Sequence, residues 1–258
     1  MIKMERSEQH IINYSNSQKE NNIKLENYLR KNKQIEEVVP ITEIFKLEFK
    51  TLGINQQLGE QIREVYEQYV YKLMNSVSVW TGCKELKNSD RIELKYKVNE
   101  MDEKDLFFLL GNVFYNDLKA SYESNRILTN SVQSNKFNCY SSSVLFGDVL
   151  TRLGKENIKI IKTPNHVCLN GKKFIFETTK YNKIFEKTQQ QRIYSYAQNL
   201  DIKKIIGITY NWCAYIIKTS IGSDNKNLVS EYYNKALEID SNDIGVLKAK
   251  KRWKLWKE

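Results

Sequence analysis

The chain has 258 residues, with 41 Lys and Arg against 31 Asp and Glu and a formal charge of +10. Its 41% hydrophobic and 12% aromatic content is enough for a packed core and excludes wholesale disorder, and ten Gly with two Pro exclude a collagen-like or linker-dominated chain. The longest apolar run, Leu106 to Leu110, is far short of the ~20 residues a membrane helix needs, so no membrane span is expected.

The first residues, MIKMERSEQHIINYSNSQKENN, are polar and mixed in charge and carry no export signal. The scattered Cys83, Cys139, Cys168 and Cys213 contain no CxxC pair, so reduced thiols and a cytoplasmic location are expected. Residues 1–39 read as a polar arm followed by a helix over Ile23–Val39 that stops before Pro40. Residues 44–50 alternate Phe45, Leu47 and Phe49 on one side and suggest a strand. From 55 to 75 the apolar positions Leu58, Ile62, Val65, Tyr66, Tyr69, Val70 and Leu73 recur at threes and fours, which predicts an amphipathic helix. Ile92, Leu94, Tyr96 and Val98 alternate and suggest a second strand. Asp102 reads as the N-cap of a deeply buried helix, DLFFLLGNVFYNDLKA.

A polar stretch from Ser121 to Asn138 leads to Cys139. The stripe Val144, Leu145, Val149, Leu150 and Leu153 then predicts a buried helix, closed by Gly154 in a left-handed conformation. Three short strands follow, near 158–162, 166–169 and 173–178, the last two joined by a turn at Asn170-Gly171 or Gly171-Lys172. After about residue 200 the chain turns helical. The final segment, KAKKRWKLWKE, supplies half the net charge. It reads as a docked helix with a solvated basic face, because no nucleic-acid motif accompanies it and nucleic acid is not the expected partner. The expected divisions are an arm and helix over 1–39, a core over 40–200 and a helical segment over 201–258. The fold class is α+β.

Candidate chemistry narrows by scarcity. There are only two histidines, and His10 lies in the polar arm, so His166 is the one imidazole expected in the core. Cys139 falls where a loop meets a helix, so unpaired N–H groups and the helix dipole favour a thiolate there and can hold an oxyanion. In either two-residue turn register, His166 and Glu177 share a sheet face, where a carboxylate can orient an imidazole. A zinc site from His166, Cys168 and Cys139 is the competing constellation, but it lacks an evident fourth ligand. No metal and no cofactor are expected.

The segments FNCYSSSVLFGDVLTRLG, PNHVCL and FIFETT resemble the transglutaminase-like superfamily of papain-like thiol enzymes, in particular bacterial members. The resemblance implies a nucleophile helix packed on a small antiparallel sheet, with Cys139 as nucleophile, His166 as base and Glu177 as orienting acid. Many members have Asp where Glu177 stands. Gln133, six residues before Cys139 as in papain-type peptidases, and Asn138 are both candidate oxyanion donors. Residues 205–239 resemble one tetratricopeptide helix pair, with Ala214 and Ala236 allowing a close crossing, and 243–257 would add a closing helix. Together these features imply acyl transfer from an amide in a protein or peptide substrate, with the thioester resolved by water or an amine. The other reading is a scaffold without turnover that holds a protein partner through its C-terminal helices.

Overall fold

The computed structural model describes residues 39–83, 90–124, 126–155, 157–163, 166–179, 183–187, 197–220 and 225–255. The expected arm, the 23–39 helix apart from Val39, His10 and Trp256 lie outside them. The fold is mixed α+β, and among the described residues no helix is long and apolar enough to cross a membrane.

Helix α1 (Ile41–Leu52) occupies the segment expected as a strand. Its buried residues Ile41, Ile44, Phe45, Glu48 and Thr51 follow helical spacing, which the shorter Phe45-Leu47-Phe49 alternation masked. Gly53, at φ 66°, closes the helix through its N–H to the Phe49 carbonyl. Helix α2 (Gln56–Trp80) is the expected amphipathic helix, capped by the Asn55 side chain and burying Ile62, Val65, Tyr66, Tyr69, Val70 and Leu73. The second expected strand is also a helix, α3 (Asp90–Glu100). Its alternating apolar set divides at i, i+4: Leu94 and Val98 are buried, while Tyr96 is 64% exposed. The buried Lys155 ammonium closes the end of α3 by donating to the carbonyls of Val98, Asn99 and Met101.

Asp102 caps α4 (Glu103–Asn112) as expected, accepting from the Lys104 N–H at 2.8 Å. The helix then widens into a π-helical turn over Val113–Asp117. The polar stretch that follows is more ordered than its composition suggests. It contains β1 (Ser121–Tyr122), α5 (Leu128–Ser134) and β2 (Lys136–Phe137), with β1 and β2 paired in parallel. Helix α6 (Cys139–Arg152) begins on Cys139 and ends at Leu153, and Gly154 takes φ 80°.

The sheet contains β3 (Lys159–Thr163), β4 (His166–Asn170), β5 (Phe174–Glu177), β6 (Lys183–Glu186) and β7 (Gln198–Asn199). It is antiparallel throughout, in the order β6-β5-β4-β3-β7. Ile160, Val167, Leu169 and Phe176 join the main core, whereas Ile161, Cys168 and Ile175 form a small cluster of their own. Helix α6 lies close against the sheet: a Cβ on Gly147 would meet the Ile160 side chain at 2.8 Å. On the helix side, Arg152 makes a bidentate pair with Glu67 of α2 at 2.7 and 2.8 Å, and Tyr66 donates to Asp148.

Three helices end the described chain: α7 (Ile202–Ser220), α8 (Lys226–Ile239) and α9 (Ile244–Leu255). Cys213, Ala214, Val229, Tyr232, Ala236, Val246 and Trp253 share a second core there, so the two small residues do sit between packed helices. The α9 surface is basic, with Lys248, Lys251 and Arg252 exposed while Trp253 is buried.

Candidate active site

Helix α6 starts at Cys139 because Asn138 caps it completely. The Asn138 Oδ1 accepts from the Ser141 N–H at 2.9 Å, and the Ser141 hydroxyl accepts from the Asn138 N–H at 3.0 Å, a reciprocal capping box. The Asn138 amide nitrogen donates to the Arg126 carbonyl at 2.8 Å. The side chain proposed as an oxyanion donor is thus spent on fixing the backbone before the thiol. In the first turn, Ser141 N–H is taken by Asn138 Oδ1 and Ser142 N–H by the Asn138 carbonyl. The N–H groups of Cys139 and Tyr140 are left without intrahelical acceptors. Gln133, the other candidate, lies half-buried on α5, and its amide makes no hydrogen bond among the described residues.

The hairpin carrying the imidazole and carboxylate turns one residue later than expected. Leu169 pairs with Phe176 and Asn170 with Ile175. The turn is Lys172-Lys173, closed by the Gly171 N–H donating to the Phe174 carbonyl. Glu103, nearly buried, explains this choice: its carboxylate accepts from the Lys172 N–H at 2.7 Å and the Lys173 N–H at 2.9 Å. Any side chain at 171 would strike that carboxylate, since a Cβ there would lie 2.5 Å from its Oε2. Moving the turn by one residue shifts the pairing by two, so parity survives and His166 and Glu177 remain on one face as diagonal neighbours.

His166 Nε2 and Glu177 Oε2 are 2.5 Å apart. The other carboxylate oxygen accepts from both the N–H and the hydroxyl of Thr179, at 3.2 and 2.6 Å. Thr178, between these two residues, joins the hairpin to the nucleophile helix. Its hydroxyl meets those of Ser142 at 2.8 Å and Ser143 at 2.9 Å, level with the first turn of α6. Ser143 also donates to the Val167 carbonyl beside His166.

Electrostatics follow from this arrangement. Burial works against charge on His166, but hydrogen bonds to Cys139 and Glu177, and the negative charge of both, push its pKa up to about 10. Burial likewise opposes ionisation of Glu177, and its bonds to His166 and Thr179 outweigh that and hold the carboxyl below its ordinary range. The three residues singled out from the sequence therefore converge. Cys83, Cys168 and Cys213 are buried, whereas Cys139 is partly exposed. Among the described residues, no three His, Cys, Asp or Glu side chains are grouped to hold a metal ion.

Four participants were not evident from sequence. Glu103, Thr178, Thr179 and Tyr115 act across long separations, and only their proximity to Asp102 or Glu177 in the chain offered a signal. No family model, curated protein or solved structure matches the chain.

Proposed function

We propose that this chain is a thiol-dependent acyl-transfer enzyme of transglutaminase-like, papain-like type, acting on an amide of a protein or peptide through Cys139, His166 and Glu177. The observation that carries the reading is the imidazole held between a helix-start thiol and a carboxylate that is itself fixed on its far oxygen. The Cys139 thiolate forms a bond to the amide carbonyl carbon. The oxyanion is received by free first-turn N–H groups and the uncommitted Gln133 amide. His166 gives its proton to the departing nitrogen as the C–N bond breaks, leaving a thioester. Water or an amine, deprotonated by His166, then attacks the thioester and returns the thiol.

The scaffold reading has one feature in its favour, an exposed apolar pair on α9, Ile244 and Leu247, beside basic residues. Labelling with iodoacetamide, read by intact mass, separates the two readings. The enzyme reading expects one rapid adduct, abolished by Cys139→Ala and unaffected by Cys83→Ala. Equal labelling of both variants, or labelling no faster than a free cysteine peptide, refutes it and favours the scaffold.

A further inference from the structure

Helix α4 and its π-helical extension lie along strand β5 and touch it at three levels. Glu103 holds the backbone of the Lys172-Lys173 turn. Phe107 stacks on Phe176, with ring centroids 4.9 Å apart. At the far end, the Tyr115 hydroxyl donates to the Thr178 carbonyl at 2.5 Å. The spacing is commensurate. From residue 103 to 115 an α-helix rises about 18 Å, and the strand from the turn to Thr178 spans roughly the same distance at 3.3 Å per residue.

Rise alone does not bring the third contact into line. At 3.6 residues per turn, residue 115 would point about 80° away from residue 107. Tyr115 lies inside the π-helical turn over Val113–Asp117, where the Leu118 N–H reaches the Val113 carbonyl. An i→i+5 turn rotates each residue by less than an α-turn, so it brings Tyr115 back toward the face that carries Glu103 and Phe107. The widened turn thus delivers a hydroxyl to the peptide that separates Glu177 from Thr179.

We infer that Tyr115 is a positioning residue for the candidate triad: its hydroxyl pins the Thr178 carbonyl and so holds the Glu177-Thr178-Thr179 turn in the geometry that aims the carboxylate at His166. This rests on the function proposed above. Two observations converge on the same peptide. Thr178 is anchored through its side chain to Ser142 and Ser143 of the nucleophile helix and through its carbonyl to Tyr115. Glu177 is gripped by Thr179 on Oε1, which leaves Oε2 for the imidazole. A rotation of the 178 peptide would disturb both holds at once. Burial and the neighbouring Glu177 charge raise the Tyr115 pKa, so the phenol remains a donor.

The test is Tyr115→Phe in the full chain, which removes the hydroxyl and keeps the ring. Three quantities are measured: the pH midpoint of His166 by imidazole NMR, the rate of iodoacetamide addition to Cys139, and the melting temperature. The expected result is a His166 midpoint moved down toward ~6.5 and alkylation slowed about fivefold, the scale of one lost hydrogen bond. Phe107→Leu serves as the control, lowering the melting temperature through the same helix without moving the His166 midpoint. A Tyr115→Phe protein that melts earlier but titrates and alkylates like wild type makes the contact merely structural and overturns the inference. Should that variant not fold, Thr179→Val removes the other hydroxyl acting on this turn, and an unchanged His166 midpoint there overturns it equally. If wild-type Cys139 labels no faster than a free cysteine peptide, it is the enzymatic reading that fails. Selective wild-type labelling with an unmoved midpoint in the variant refutes the role of Tyr115 alone.

Discussion

Protonation of His166 is the most direct consequence of the site and can be read without a substrate. With only two histidines in the chain, a single His10→Gln variant assigns both imidazole signals. An ordinary imidazole titrates near ~6.5, whereas His166 is held up to about 10. That difference is a preference of about 5 kcal/mol for the charged ring, shared between Cys139 and Glu177 after burial has worked against it. The Glu177 contact is a charge-assisted hydrogen bond at 2.5 Å, worth about 1.5–3 kcal/mol. Glu177→Gln should therefore lower the His166 midpoint by about one to two pH units. Cys139→Ala should lower it as well, since the thiol is the first of the raising influences. The sign for stability is fixed by the same numbers. A base with a raised pKa in the fold stabilises fully below its unfolded value and loses that contribution as pH rises, here between ~6.5 and about 10. Wild type should lose stability across that window, and Glu177→Gln should lose less. A wild-type midpoint near ~6.5, or one that Glu177→Gln leaves unmoved, would refute the coupling.

Glu103→Ala removes the acceptor for Lys172 N–H, Lys173 N–H and the Asn157 amide, and should cost about 2–4 kcal/mol in urea unfolding with faster exchange of the two turn amides. A loss below about 0.5 kcal/mol would mean that the turn does not depend on it. Glu48 is wholly buried on α1 and caps α5 in place of a local side chain, accepting from Leu128 N–H and Thr129 N–H. Burial raises its pKa to about 7, against its bonds to Thr129 and Leu128. Its contribution is present in full below its unfolded value and is lost as pH rises through about 7. Wild type should therefore gain up to about 3 kcal/mol on acidification toward ~4.5, relative to Glu48→Gln. Parallel pH-stability curves for the two proteins would exclude this.

The parts of the molecule legible in sequence were those where neighbours in the chain decide the outcome. Asp102 and Gly154 mark helix ends by local backbone chemistry, and the stripe from Ile62 to Leu73 already contains its own period. Phe45-Leu47-Phe49 and Ile92-Leu94-Tyr96-Val98 misled because alternation over a few residues fits a strand as well as a helix, and partners far away in sequence decided between them. Cys139, His166 and Glu177 were legible through the scarcity of histidine, a loop-to-helix junction and strand parity. The turn position was not, because the residue that selects it, Glu103, lies on another element. Asn138 shows the reverse: its identity suggested an oxyanion donor, while its bonds to Ser141 and Arg126 make it a cap.

The bracing of one hairpin by a single helix has a consequence for how this chain can vary. Every side chain assigned to the reacting atoms, and both residues that brace the hairpin ends, lie between Glu103 and Thr179 in one continuous stretch. Such a stretch behaves as a cassette. Its internal dimensions are set by its own helix and strand, so the segments before and after it are free to diverge, lengthen or be replaced. Diversification of what reaches the thiol would then fall on those flanking segments, while the cassette tolerates almost no insertion between its first and last brace.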